Sequence, residues 1–220
     1  MKRYALYYAP PPGLWAETAA HWLGRDAVSG EARMQPHPDL EALTVSARRY
    51  GFHGTLKAPF ALAEGVSEDD LVAAVEVFAA GIAPVTVEGL AVADLDGFLA
   101  LLPTGDTTAL NALAAQVVAR FDRFRAPLSE AERARRQPER LSEVQRALLD
   151  TWGYPYVMDA FRFHMTLTDR LTPEQHAWVR PLAEAVFAPV LPRPFVLGAL
   201  SVFGEGEDGL FHELHRARLG

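Results

Sequence analysis

The 220-residue chain predicts an α+β protein, a bilobal duplicated fold in which two antiparallel β-sheet lobes with outer helices surround a central cleft. Three observations predict it. The tract Tyr50-Gly51-Phe52-His53-Gly54-Thr55-Leu56-Lys57 returns in kind as Phe161-Arg162-Phe163-His164-Met165-Thr166-Leu167-Thr168. Each copy is followed by the same succession of amphipathic helix, strand, hairpin and strand. Between the copies lies a stretch of helix signals with its own charge pattern. The expected division is one bilobal domain over 1–220, with a first motif lobe at about 30–105, a helical insertion at about 106–152 and a second motif lobe at about 153–220.

The elements follow in order. Tyr4-Ala5-Leu6-Tyr7-Tyr8 opens as a strand with Tyr4 and Tyr8 on one face and Tyr7 on the other, one of the two faces being available to line the cleft. Residues 14–27 read as a helix with Leu14, Trp15, Ala19, Trp22 and Leu23 on its apolar side. In the first motif, apolar and polar residues alternate, so a strand turns His53 and Thr55 to one face and Phe52, Gly54 and Leu56 to the other. Ser67-Glu68-Asp69-Asp70 starts a helix carrying Leu71, Val72, Val75 and Phe78, and strands at 85–92 and 98–102 follow. The insertion begins with an amphipathic helix over 108–124. After Pro127 come two capping boxes, Ser129-Glu130-Ala131-Glu132 and Ser142-Glu143-Val144-Gln145, with Pro138 separating two helices. Its arginines are expected either to face solvent or to reach over the cleft. Beyond the second motif, Thr172-Pro173-Glu174-Gln175 combines an N-cap, a proline at the first helical position and a capping-box partner, and strands at 195–203 and 210–217 close the chain.

The motif spacing has a chemical reason. Side chains two apart on a strand stand about 6.5 Å from one another at Cα, within reach of one phosphoryl group. Two such strands supply two imidazoles and two hydroxyls. One imidazole takes a proton from the attacking hydroxyl or water and the other gives one to the leaving oxygen, while the hydroxyls hold the non-bridging oxygens. The candidate catalytic residues are therefore His53, His164, Thr55 and Thr166. Lys57 and Arg170 share the parity of the two histidines and are candidate phosphate ligands, and Tyr50 is a candidate for stacking a base or sugar.

Composition narrows the classes. A formal net charge of -7 argues against a broad electrostatic footprint on long nucleic acid, while leaving room for a small phosphorylated substrate or a short RNA end. There is no cysteine, so neither a disulfide nor a thiolate metal site exists, which fits a cytoplasmic setting. No apolar run is long enough to span a membrane, and Pro10-Pro11-Pro12 interrupts the opening too early for a signal peptide. His212 and His215 are three apart on a predicted strand and so face opposite ways, which argues against a shared ion, and no metal or other cofactor is expected. Walker and GxGxxG glycine signatures are absent.

The paired motifs, their order and the chain length resemble the two-histidine (2H) phosphoesterase superfamily. The phrase from Tyr50 to Phe60, with the opening Tyr4-Ala5-Leu6-Tyr7-Tyr8-Ala9-Pro10-Pro11, is similar to the branch associated with phosphonate metabolism. The resemblance implies a bilobal fold, metal-independent chemistry on cyclic or linear phosphodiesters, and His53, Thr55, His164 and Thr166 as the machinery. It implies a phosphoesterase that opens a cyclic phosphodiester of a small sugar or nucleotide. The alternatives are an RNA 2',3'-cyclic phosphodiesterase or 2'-5' RNA ligase-like enzyme, and a non-catalytic protein that binds a phosphorylated metabolite. One departure stands out. Gly54 occupies a position that is often apolar in the family and is expected to leave less packing behind His53.

Overall fold

The computed structural model describes residues 1–220. The chain runs β1 (Tyr4–Tyr8), α1 (Leu14–Leu23), α2 (Leu40–Leu43), α3 (Val45–Tyr50), β2 (Gly54–Phe60), α4 (Glu68–Ala79), β3 (Val85–Val87), β4 (Gly89–Leu95) and β5 (Phe98–Thr104). It continues through α5 (Thr108–Phe121), α6 (Glu130–Arg135), α7 (Glu143–Trp152), β6 (Met165–Thr166), α8 (Pro173–Phe187), β7 (Phe195–Leu197), β8 (Ala199–Glu205) and β9 (Phe211–Arg218).

Local signals fix the helix ends. Ser67, Ser129, Ser142 and Thr172 each accept a bond from the backbone N–H three residues on, and the residue at that position answers to the cap's own N–H. Each box satisfies donors that a helix start would otherwise leave bare. Helix α1 is shorter than the predicted 14–27. Gly24 adopts φ 76°, a left-handed stop, and its N–H returns to the carbonyls of Ala20 and His21. Leu14, expected on the apolar side, is instead exposed at the first turn. The helix expected over 108–124 is α5 followed by one 3-10 turn, Asp122–Phe124.

Strand pairing joins distant parts of the chain. Seven strands form one antiparallel sheet in the order β4-β5-β6-β2-β1-β8-β9, and β3 and β7 form a second, two-stranded sheet. Each predicted strand at 85–92 and 195–203 splits in two, at Glu88 and at Gly198, and the first pieces pair with each other as β3 and β7. In the large sheet the two motif strands are neighbours, joined by the pair Gly54↔Met165. The hairpin that follows the first motif, β4-β5, pairs with the second motif strand β6. The hairpin that follows the second motif, β8-β9, pairs through β1 with the first motif strand β2. The half-sheets β4-β5-β6 and β2-β1-β8-β9 therefore each draw strands from both sequence halves, and neither coincides with a contiguous stretch of chain.

The two faces of the large sheet differ. Leu6, Leu56, Leu101, Met165, Leu200 and Val202 point into one core with helices α1, α4, α5 and α8. The opposite face carries a smaller cluster, Ala5, Tyr7, Ala9, Phe203 and Phe211, with Tyr50 packed against it. Burial alternates along both motifs. Phe52, Gly54 and Leu56, and likewise Phe163, Met165 and Leu167, are buried, whereas His53, Thr55, His164 and Thr166 are half-buried. The imidazoles and hydroxyls thus stand on the face that the helices leave open.

Candidate active site

His53 is the last residue before β2, and three groups fix it. Its Nδ1 donates to the carbonyl of Gly51 at 2.8 Å. A carbonyl only accepts, so Nδ1 carries the proton of the neutral ring and Nε2 is left as an acceptor. The Thr55 hydroxyl donates to that Nε2 at 3.1 Å. Tyr7 lies flat against the ring, with centroids 3.8 Å apart and an interplanar angle of 23°. Gly51 makes the first of these contacts possible. It has φ 74°, and a Cβ there would stand 2.4 Å from the Cβ of Ala27.

His164 repeats the arrangement one residue before β6. Its Nδ1 donates to the carbonyl of Arg162 at 2.8 Å, so its Nε2 is also the free acceptor. Phe98 is its aromatic neighbour, with centroids 5.9 Å apart. Continuing the Gly54↔Met165 register by one residue in each direction sets His53 across from Thr166 and Thr55 across from His164. Facing residues of an antiparallel pair share a face, so the four side chains form one patch. Gly54 is filled from the other motif. A Cβ on it would meet the Phe163 ring at 2.4 Å, so the packing that was expected to be missing behind His53 is supplied by Phe163.

The electrostatics separate the two rings. Burial pushes His53 down to about 4, against the opposing pull of the Gly51 carbonyl, and a charge on His164 pushes the same way as burial. Burial also lowers His164, again opposed by a carbonyl, that of Arg162. Two imidazoles this close resist being charged together.

The structure does not bring Lys57 to this patch. The β1–β2 register shifts between Leu6 and Tyr7, so that Tyr7 faces Thr55 but Leu6 faces Lys57. A bulge of this kind breaks the alternation on which the shared face of His53 and Lys57 depended. Lys57 is 3% exposed, and its ammonium bonds to Asp122 Oδ1 at 3.2 Å and to the Val118 carbonyl at 3.3 Å. Nor does Arg170 extend the motif. Strand β6 ends at Thr166, and Arg170 lies exposed against the Gly97 turn of the β4-β5 hairpin. Tyr50 does reach the site, at 6.1 Å from His53 between ring centroids.

Three neighbours escaped the sequence reading. Strand parity separated Tyr7 from Tyr4 and Tyr8, but the stack on His53 depends on pairing with β2. Tyr154, just past the Gly153 stop of α7, and Arg136, at the end of α6, come close enough to Tyr7 for their charges to act on its phenol. The Arg136 guanidinium lies 4.8 Å from the Tyr154 ring centroid. Reach over the cleft was one of two expectations for the insertion's arginines, but no local signal singled out Arg136 or its tyrosine partner. No three His, Asp or Glu side chains converge in the structure as metal ligands would.

Comparisons with known proteins place this geometry in context. Two curated relatives are each named ribose 1,5-bisphosphate phosphokinase PhnN. That of Janthinobacterium sp. (strain Marseille) is 41% identical over 223 residues, which cover 95% of this chain and 49% of the relative. That of Laribacter hongkongensis (strain HLHK9) is 36% identical over 223 residues, covering 97% of this chain and 51% of the relative. The chain thus spans about half the length of these relatives. Among solved structures, TT0787 of Thermus thermophilus is similar over 99% of this chain and 97% of its own, at 15% identity and a TM-score of 0.47. The E. coli LigT structure complexed with ATP is similar over 99% and 97%, at 12% identity and a TM-score of 0.45. Residues 55–212, beginning within the first motif and ending in β9, match the family described as Protein of unknown function (DUF1045), and the chain belongs to that family.

Proposed function

We propose that this chain is a phosphoesterase that opens a cyclic phosphodiester of a small sugar or nucleotide without a metal ion. The observation that carries the reading is the pairing of the two motif strands through Gly54↔Met165, with both imidazoles holding Nδ1 on a carbonyl and leaving Nε2 unprotonated on the neutral ring. His53, the ring that burial keeps neutral, is the base. His164, which lacks the close tyrosine stack and the hydroxyl bond of His53, is the acid. Water adds to phosphorus as His53 Nε2 takes its proton, and the bond from phosphorus to the sugar oxygen breaks as His164 Nε2 protonates that oxygen. The product is a phosphate monoester, and the two rings return to their starting state by exchanging protons with solvent. Thr55 and Thr166 turn their hydroxyls to the non-bridging oxygens, where negative charge accumulates. The name of the curated relatives supports a ribose phosphate as the sugar, and the sequence resemblance supports a setting in phosphonate breakdown.

The test is a panel assay in the presence of EDTA, with ribose 1,2-cyclic phosphate, nucleoside 2',3'-cyclic phosphates and 2'-5' oligoadenylate as substrates. Turnover of a cyclic ester that EDTA leaves undiminished is the expected result. Activity that disappears with the chelator, or tight binding with no turnover of any of these, would overturn it.

A further inference from the structure

Beside His53 the open face of the sheet ends in a corner whose polar groups nothing in the protein uses. Tyr7 from β1, Tyr50 from the end of α3 and Tyr154 from the end of α7 converge there. Tyr7 and Tyr154 each feel the ionisation of Tyr50, and Tyr7 that of Tyr154 as well. Tyr7 is 1% exposed, with its hydroxyl oxygen at the surface, and neither that hydroxyl nor those of the half-buried Tyr50 and Tyr154 bonds to another group of the protein. By contrast, the Tyr4 hydroxyl donates to Glu68 Oε2 at 2.8 Å. Burial, more than any neighbour, raises Tyr7 and Tyr154, so both phenols are donors at neutral pH.

Two kinds of guanidinium flank the corner, and they are not equivalent. Arg3 is committed to the buried Glu205 carboxylate at 2.6 Å, and Arg49 binds the other oxygen of the same carboxylate at 2.6 Å. Arg136 has no carboxylate partner. It is half-buried, stacked on Tyr154 and near enough to Tyr7 to favour negative charge there. A half-buried cation laid on an aromatic ring, with phenolic donors beside it that no protein group uses, is an arrangement that an anion of phosphate geometry completes.

We infer that Arg136, with the hydroxyls of Tyr7 and Tyr154, forms a second anion subsite that recognises a phosphate monoester carried by the substrate in addition to the diester being opened. The inference rests on the proposed phosphoesterase reading and narrows its substrate to cyclic sugar esters that bear a further phosphate. The arginine-bearing insertion then serves specificity, laying its unpaired, half-buried Arg136 over the end of the cleft.

Two esters that differ in one group test it: ribose 1,2-cyclic phosphate with and without a 5-phosphate. The wild-type protein is expected to show the lower KM for the phosphorylated ester. Arg136→Gln is expected to raise that KM about tenfold more than it raises the KM of the other, the size of one lost charge-assisted hydrogen bond. Tyr154→Phe should move the same ratio in the same direction by a smaller factor. Arg135→Gln, an exposed neighbour outside the corner, should change neither KM. Equal KM values for the two esters in the wild type, or equal rises for both in Arg136→Gln, would overturn the inference. If the wild type opens neither ester, ribose 1,2-cyclic esters are not its substrates, and calorimetric titration with ribose 5-phosphate decides the subsite by itself. Weaker binding to Arg136→Gln supports the subsite; equal binding removes it.

Discussion

The two motifs repeat a backbone arrangement and differ in what surrounds it. In both, the imidazole stands one residue before a strand and donates Nδ1 to the carbonyl two residues back, at 2.8 Å in each case. The surroundings diverge from there. His53 precedes a seven-residue strand, lies under Tyr7 and accepts from Thr55. His164 precedes a two-residue strand and has an aromatic neighbour only at 5.9 Å. The scaffold sets the tautomer twice over, and the packing then sets different proton affinities. One duplicated design thereby gives two imidazoles the same tautomer in different surroundings, because both keep the carbonyl bond at Nδ1 while Tyr7 and Thr55 crowd only His53.

Removing either ring gives the largest expected effect. His53→Ala and His164→Ala should each lower kcat by about 10²- to 10⁴-fold, the range for a positioned general acid or base, with little change in far-ultraviolet circular dichroism. The pH profile sharpens the comparison. With both rings lowered, kcat/KM should peak on the acid side of the usual histidine value of 6.5. Its two limbs belong to the pair rather than to either ring. A maximum well above neutrality would contradict the assignment of acid and base.

The residues between His and Thr break the symmetry in stability. Met165 is fully buried, and Met165→Ala should cost about 2–5 kcal/mol through the cavity it leaves. Gly54 is the opposite case, because the Phe163 ring already occupies the space of its missing side chain. Gly54→Ala should cost about 1–3 kcal/mol by overpacking. Restoring room with Gly54→Ala/Phe163→Leu should recover part of that loss in urea denaturation, a non-additivity expected of residues in contact. Strictly additive losses would show that the two motifs do not interlock here.

What could be read from the sequence was local. The duplicated motif, the alternation that turns His53 and Thr55 one way, the helix start at Ser67 and the three capping boxes at Ser129, Ser142 and Thr172 depend on residues within a few positions of each other, and they formed. Pairings between distant segments were not legible. Nothing near positions 98–104 says that this strand joins the second motif rather than the first. The displacement of Lys57 has the same origin, since a register shift against β1 undoes a parity argument made within one strand. Arg136 and Tyr154 belong to a segment whose helices were predictable but whose docking over the sheet was not.

The smallest effect concerns acid stability, and it separates the two histidines without any substrate. A ring whose value falls from 6.5 unfolded to about 4 folded binds fewer protons in the native state. Its contribution is present in full above pH 6.5 and is lost as the pH drops toward 4, because the unfolded chain takes up the proton first. His53 should therefore account for a loss on the order of 2 kcal/mol over that interval, held below the full value of the shift because the ring retains some exposure. In His53→Gln the slope of unfolding free energy against pH should flatten by that amount between pH 6.5 and 4. His164→Gln should flatten it less, because that ring has neither the tyrosine stack nor the hydroxyl contact of His53. Equal slopes for the two variants would mean that both rings sit in equivalent surroundings, and the division of labour between base and acid would lose its physical basis.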